Sequence, residues 1–590
     1  MKRFTSWLIT FSVILTLFFG SMFSARADMK KPIITFSFAG YNAFIQDFAA
    51  VGKLADNPSL GSMLELPLQL FLGDVLDAMD KNAPFGGFLL EDEGEYHFLA
   101  FLPFKNKDAI VDFLSSRGAN IDVEVLDDGI VVLSADSPNL YLKESGGFLY
   151  ISSEKATLED LPEDPVMLLE GLNKKYTLAV KFHLDHLSPE TKNWFFSSIE
   201  EGMDLVDQLS QDDENSETLK ASMENNKKTL ALLKKQIEAF KKIEIGYSFD
   251  KNAGELKLGG VMEFQEGSSM ANLIAKSKNL KSQFAGFVNL DIIGSGYQIS
   301  MNDEETLATA RDSLDSQWKV IKAMMRQSSE LGEEEKEKLE KFLDSARDLL
   351  DGMVVQEVSD AGFLLDMEPG NITGLLVFTV NDAQKFLASV KTLAEMGIAE
   401  GILSADQLKL DVAWERGAFH RGEIPFREIM EKAGEVDEDA LALFEKFAGE
   451  TLIVTVGTDG EKFFLGYGND AIELLKKGTA ESAEEAQMAK FQVSALRILQ
   501  YTGKMVTLTA EKEDRGVAQV KYVLRLLREI LAGEPGKDHL RVEGRILNDT
   551  TVEANYVLEK GIVKILGSLP NIYIMLQMAD DEDFEDLDEE

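Results

Sequence analysis

The chain has 590 residues, with 102 acidic against 60 basic side chains, five histidines and no cysteine, for a formal charge of −42. That length is too great for one ordinary core and predicts two or more domains of roughly 150 residues each. The missing cysteines exclude disulfides, thiolate zinc sites, a lipoprotein attachment site and a cysteine nucleophile. The acidic balance argues against nucleic acid and anionic membrane surfaces, which are bound by clustered Lys and Arg.

Lys2 and Arg3 precede an apolar run from Trp7 to Phe19, and Ala25-Arg26-Ala27 follows it. This order predicts a cleavable signal peptide over residues 1–27, cut after Ala27, and a periplasmic or secreted product. The apolar run is shorter than the roughly 20 residues that span a bilayer, so no stable membrane span is expected after cleavage. Loss of Lys2, Arg3 and Arg26 takes the charge from −42 to −45. Folding is expected to be independent of metal and of redox conditions.

Period-two alternation predicts a strand over Ile33 to Phe38, and helical spacing follows at Phe44, Phe48 and Val51. A second helix is expected over Met63 to Met79. Strands are expected at Gly87 to Glu91, Phe98 to Phe104, Ile121 to Leu126, Gly129 to Leu133, Leu140 to Lys143 and Phe148 to Ser152. Asp127-Asp128-Gly129 is a hairpin signal. After a strand over Thr177 to Leu184, Ser188-Pro189 reads as a helix start. The long helical hairpin it opens should end before a strand pair at Ile243 to Phe249 and Leu256 to Phe264.

From about Lys281 the series starts again. Phe287 to Ile292 and Tyr297 to Met301 are expected strands, and Asn302 or Asp303 should cap a helix running through Leu307, Trp318 and Met325. Gly332 ends it, and a partner helix runs through Leu339, Phe342 and Met353. Gly362-Phe363-Leu364-Leu365-Asp366 nearly copies Gly87-Phe88-Leu89-Leu90-Glu91. Gly417 then matches Gly129, Phe464-Leu465 matches Phe148-Leu149, Lys490-Phe491 matches Lys181-Phe182, and Leu540 to Leu558 matches Ile243 to Phe264. Drifting offsets place an extra helical insertion at Pro425 to Phe447. The expected fold is α+β: two tandem related lobes of antiparallel sheet covered by helices and long helical hairpins. The boundaries are 28–280 for copy one, 281–578 for copy two and 579–590 for an acidic disordered tail.

Catalytic patterns are sparse. Ser-x-x-Lys occurs at Ser152–Lys155, Ser248–Lys251 and Ser316–Lys319, but at a strand end, in a hairpin and on a core-striped helix, where chance explains it better than acyl transfer. No nucleophile elbow, phosphate loop or His-Glu-x-x-His is present. The Gly294-Ser295-Gly296 turn lacks the context of a dinucleotide site. In His183-Leu184-Asp185-His186, a strand through residue 184 puts His183 and Asp185 on one face and His186 on the other, which suits no metal geometry. The cluster is therefore read as a surface or capping feature. No residue is assigned as catalytic, cofactor-binding or metal-ligating, and no cofactor is expected.

Ser37-Phe38-Ala39-Gly40-Tyr41, Phe85-Gly86-Gly87, Phe101-Leu102-Pro103-Phe104-Lys105, Lys143-Glu144-Ser145-Gly146-Gly147 and Leu169 to Tyr176 together resemble large exported proteins of unknown function from planctomycete-type bacteria. The resemblance covers most of the mature chain, implies export and brings no catalytic residues. The expected function is an exported non-enzymatic binding or scaffold protein, taking an unknown protein or apolar ligand of neutral or basic character. The alternatives are an extracytoplasmic hydrolase of unrecognised type and a lipid carrier, the latter suggested by 37 Phe and 21 Met.

Overall fold

The computed structural model describes residues 31–578 apart from 93–94, 105–107, 109–110, 113–121, 135–138, 160, 195, 198–233, 236, 328–331, 333–335, 338, 345, 348–355, 400–403, 429–437, 480–486 and 510–514. The signal-peptide and acidic-tail expectations lie outside these residues. So do most of the hairpin expected after Ser188, most of the helix expected after Gly332, and part of the 425–447 insertion. The chain divides into two compact units whose segments interleave along the sequence. The first takes the described residues of Met1–Gly202, Phe240–Phe264 and Leu566–Ser568, and the second takes the rest.

The first unit contains β1 (Pro32–Phe38), α1 (Tyr41–Leu54), α2 (Leu60–Leu72), α3 (Asp74–Ala78), β2 (Phe85–Asp92), β3 (Glu95–Leu102), β4 (Asp122–Val125), β5 (Val131–Ser134), β6 (Leu140–Ser145), β7 (Phe148–Ser152), β8 (Leu178–His183), β9 (Phe240–Asp250) and β10 (Glu255–Phe264). The single helix expected over Met63 to Met79 is split at Gly73, whose φ of 51° breaks the helical path between α2 and α3. The strands pair antiparallel in the order β4-β5-β6-β7-β3-β2-β1-β8-β9-β10. Strict alternation in β1 buries Ile33, Thr35 and Ser37 on one face. Phe88, Leu99, Phe101, Tyr150 and Leu169 form the core on one side of the sheet. Met79, Val131, Leu142 and Leu149 form a second. Each fully buried side chain of this kind stabilises the unit by about 1.5–3 kcal/mol.

The second unit contains α4 (Ser269–Ser277), β11 (Gly294–Met301), α5 (Glu304–Gln327), β12 (Val358–Glu368), β13 (Asn371–Thr379), α6 (Ala383–Ala399), β14 (Leu408–Trp414), β15 (Gly417–Pro425), α7 (Glu438–Ala448), β16 (Thr451–Asp459), β17 (Lys462–Tyr467), α8 (Ala471–Gly478), β18 (Ala489–Ser494), α9 (Ala495–Thr509), α10 (Arg515–Ala532), β19 (His539–Asn548), β20 (Thr551–Leu558) and α11 (Lys560–Met578) apart from its residues Leu566–Ser568. Its strands pair antiparallel in the order β14-β15-β16-β17-β13-β12-β11-β18-β19-β20. The fold is thus α+β, with wholly antiparallel pairing within each unit.

Two expectations are corrected here. Phe287 to Ile292 is not a strand: Ala285–Asn289 forms a 3-10 turn that drives Phe284 and Phe287, both 0% exposed, into the core with Leu364 and Val377. Gly294-Ser295-Gly296 is not a turn but the start of β11.

The two Gly-Phe-Leu-Leu strings also differ in phase. Phe88 and Leu90 are buried in the first, whereas Gly362 and Leu364 are buried in the second. Cross-strand register shows how. One buried-side row of the first sheet runs Lys181, Thr35, Phe88, Leu99, Ser152. The row carrying Lys490 in the second runs Lys490, Tyr297, Gly362, Val377, Phe464. The glycine of the second string therefore stands where the first has its phenylalanine. A Cβ on Gly362 would meet Phe284 at 2.8 Å and Phe287 at 2.9 Å.

Candidate functional site

β8 ends at His183, and the chain then reverses within Leu184 to Leu187 instead of continuing as a strand. The His186 amide donates to the His183 carbonyl at 3.1 Å, closing the turn. This overturns the strand-based expectation that His186 points away. The two imidazoles stack with centroids 4.9 Å apart and planes 4° apart. His183, Asp185 and His186 each bring one potential ligand atom within 4.8 Å of the others.

Nor is His183 a surface residue: it is 1% exposed, beside the equally buried Thr35. Its Nε2 lies 3.1 Å from Thr35 Oγ1, while its Nδ1 has no hydrogen-bond partner. His186 Nδ1 donates to the Pro32 carbonyl at 2.7 Å, and its Nε2 lies 3.8 Å from Asp185 Oδ1. Burial pushes the His183 imidazole down to about 4, opposed by the Glu170 carboxylate and reinforced by His186, Lys181 and Lys242. Lys181 is itself held by Glu170 at 2.7 Å and Glu244 at 2.9 Å.

Members of each Ser-x-x-Lys match make their bonds elsewhere in the fold. Ser152 donates to the Phe98 carbonyl, and Lys155 turns to Asp128 at 2.8 Å. Lys251 reaches Asp47 at 3.4 Å, and Ser316 bonds back to Asp312 within α5. His420 accepts from the Asp411 amide at Nδ1 and meets the Leu387 carbonyl at Nε2. Both of its nitrogens are used within the fold.

A second candidate lies on the sheet of the second unit. Sheet residues Phe378, Val456 and Phe463 lie in the cluster that α6 packs against, and Ile372 and Leu452 lie in the cluster of α7. Between these clusters a strip of Phe363, Leu376, Leu465, Val454 and Tyr467 floors an open groove of about 450 Å³. Leu376 is 45% and Leu465 42% exposed. The row continues through Phe491 and Val542 to Tyr556 on neighbouring strands. Gly296 makes room for it: a Cβ there would meet the Phe491 ring at 2.3 Å and the Phe363 ring at 2.8 Å. Sequence reading passed over this strip, although unbroken apolar runs at Phe363–Leu365 and Leu375–Phe378 signal a strand that is apolar on both faces.

Among the described residues no helix is long and apolar enough to cross a membrane. No family model and no curated protein matches the chain. A solved structure described as "Structure of crystal form IV of TP0453" aligns over 40% of this chain and 77% of its own, at 8% identity and a TM-score of 0.20. A likeness of that size carries no argument about fold or function.

Proposed function

We propose that this chain is an exported, non-enzymatic binding protein of two related lobes, and that the apolar strip of the second unit receives a protein partner. The strip carries the reading: large side chains left exposed in one contiguous row mark interaction surfaces, whereas isolated exposed ones do not. An open groove suits a partner that brings its own apolar surface better than a lipid, which a carrier encloses. The formal charge of −42 favours a neutral or basic partner. Relatedness of the lobes is supported by the common strand order, and export by the charged, apolar and Ala-x-Ala sequence of the N-terminus. The hydrolase alternative gains nothing from Ser152, Lys155, Lys251 and Ser316, whose partners lie elsewhere.

The test places a photo-reactive residue at Leu376 or, as a control, at the exposed Lys409 of β14, and irradiates native envelope. The expected result is one discrete protein adduct from position 376 that Leu465→Asp removes. Equal labelling from both positions, or none from 376, defeats the reading.

A further inference from the structure

We propose that His183, Asp185 and His186 form a binding site for a first-row divalent transition cation, zinc above all, through His183 Nδ1, His186 Nε2 and one Asp185 carboxylate oxygen. The site lies wholly within the first unit and is independent of the apolar strip.

Three ligand-bearing side chains converge there, each with one candidate atom within 4.8 Å of the others. His186 Nδ1 must carry a proton, because it faces a carbonyl oxygen 2.7 Å away, so Nε2 bears the lone pair. The site requires Thr35 Oγ1, 3.1 Å away, to accept from His183 Nε2, which leaves Nδ1, the buried atom without a partner, as the bare nitrogen. Each ring is thus fixed by an oxygen at its far nitrogen, the arrangement that orients and tautomerises metal-bound histidines. The nearby carboxylate of Asp185 offsets part of a divalent charge.

Two imidazoles and a carboxylate match a zinc site with a fourth position left for water. Imidazole ligands select against magnesium and calcium, which take all-oxygen shells. Ligand atoms within 4.8 Å of one another need to draw in to about 3.3 Å for zinc–nitrogen bonds near 2.05 Å. The parallel rings also need to turn so that both lone pairs meet the ion. His186, partly exposed on the turn, is the ring with room to do so.

The test uses untagged, chelator-stripped protein titrated with Zn²⁺ and Co²⁺ against a chromophoric chelator. We expect one Zn²⁺ per chain, and for Co²⁺ the strong visible absorption of a four-coordinate site. Because His183→Ala empties a buried position, the decisive variants are His186→Ala and Asp185→Asn on the partly exposed turn, each expected to weaken Zn²⁺ binding tenfold or more with the circular dichroism unchanged. Thr35→Val should weaken it about 10- to 100-fold by releasing the His183 ring. Absence of stoichiometric Zn²⁺ binding, binding unchanged in His186→Ala, or Mg²⁺ bound as tightly as Zn²⁺ overturns the proposal.

Discussion

β8 and β18 occupy the same place in their strand orders, yet the chain leaves them differently. β18 ends in Ser494, whose Oγ accepts from the Arg497 amide at 3.1 Å and caps α9 at once. β8 ends in His183, and four residues intervene before Ser188 plays that part, accepting from the Thr191 amide at 3.0 Å. Both capping hydroxyls are held by an acid, Glu91 for Ser188 and Asp538 for Ser494. The difference is the intervening turn itself, which carries Asp185 and His186 beneath His183. The first unit thus carries, at this strand-to-helix junction, a turn of four residues that the second lacks, and the sheet order is the same on both sides of the comparison.

The largest effect expected from contrasting the units is in the cores. Phe88 is 4% exposed in the row where the second unit has Gly362. Phe88→Ala should destabilise the first unit by about 3–5 kcal/mol. Calorimetry should show one transition falling and the other staying in place. A downward shift of both would mean that the units do not melt separately.

Strand content was legible because alternation and β-branched runs are local signals. The phase of the Gly-Phe-Leu-Leu strings was not, since which side of a strand is buried depends on packing from distant residues such as Phe284 and Phe287. The His183 cluster was misread for a related reason. Nothing in His-Leu-Asp-His says that the strand stops at the first histidine. Once it does, the two-residue alternation that separated His183 from His186 no longer applies.

Zinc should produce the next largest change. At a hundred times its dissociation constant it should stabilise the first unit by about 2.7 kcal/mol and leave the second unaltered. Displacement of the other transition instead would place the ion elsewhere. Such stabilisation runs against the expectation of metal-independent folding, and an unshifted first transition would leave that expectation standing. Gly362→Ala tests the same contrast from the second side. Its Cβ would press on Phe284 and Phe287, and overpacking of this kind costs about 1–3 kcal/mol. An unchanged melting temperature would show that those rings yield.

The histidines of the two units also respond oppositely to pH. Burial pushes His183 down, while the hydrogen bond that His539 donates to Glu559 raises His539, aided by the Asp538 charge and opposed by burial and Arg541. Burial raises Glu559, but its bonds to the His539 ring and amide and the Arg541 charge outweigh this, and it is lowered overall. A raised His539 stabilises the second unit fully below its unfolded value near 6.5 and is lost as pH rises through the folded value. A lowered Glu559 contributes fully above its unfolded value near 4.5 and is lost as pH falls through the folded one. The pair should therefore help most between about pH 4.5 and 6.5. Glu559→Gln should flatten the decline of the second transition above pH 6.5, and an identical decline in the variant would assign it to other groups.

The smallest expected effect separates the caps most finely. Ser494→Ala and Ser188→Ala each remove an N-cap and should each lower stability by about 1 kcal/mol. Beyond that they should diverge. Ser188 ties the far end of the Leu184–Leu187 turn to Glu91 on β2, and the near end is tied by the His186-to-His183 backbone bond and the His186-to-Pro32 bond. Releasing the far end enlarges the range of positions open to Asp185 and His186, which weakens zinc by the entropy of bringing them back together. Ser494→Ala has no such turn to release and should leave zinc affinity as it was. Equal affinities in the two variants would show that the turn holds its shape without its cap, and that the second anchor of the cluster is the stacked His183 ring.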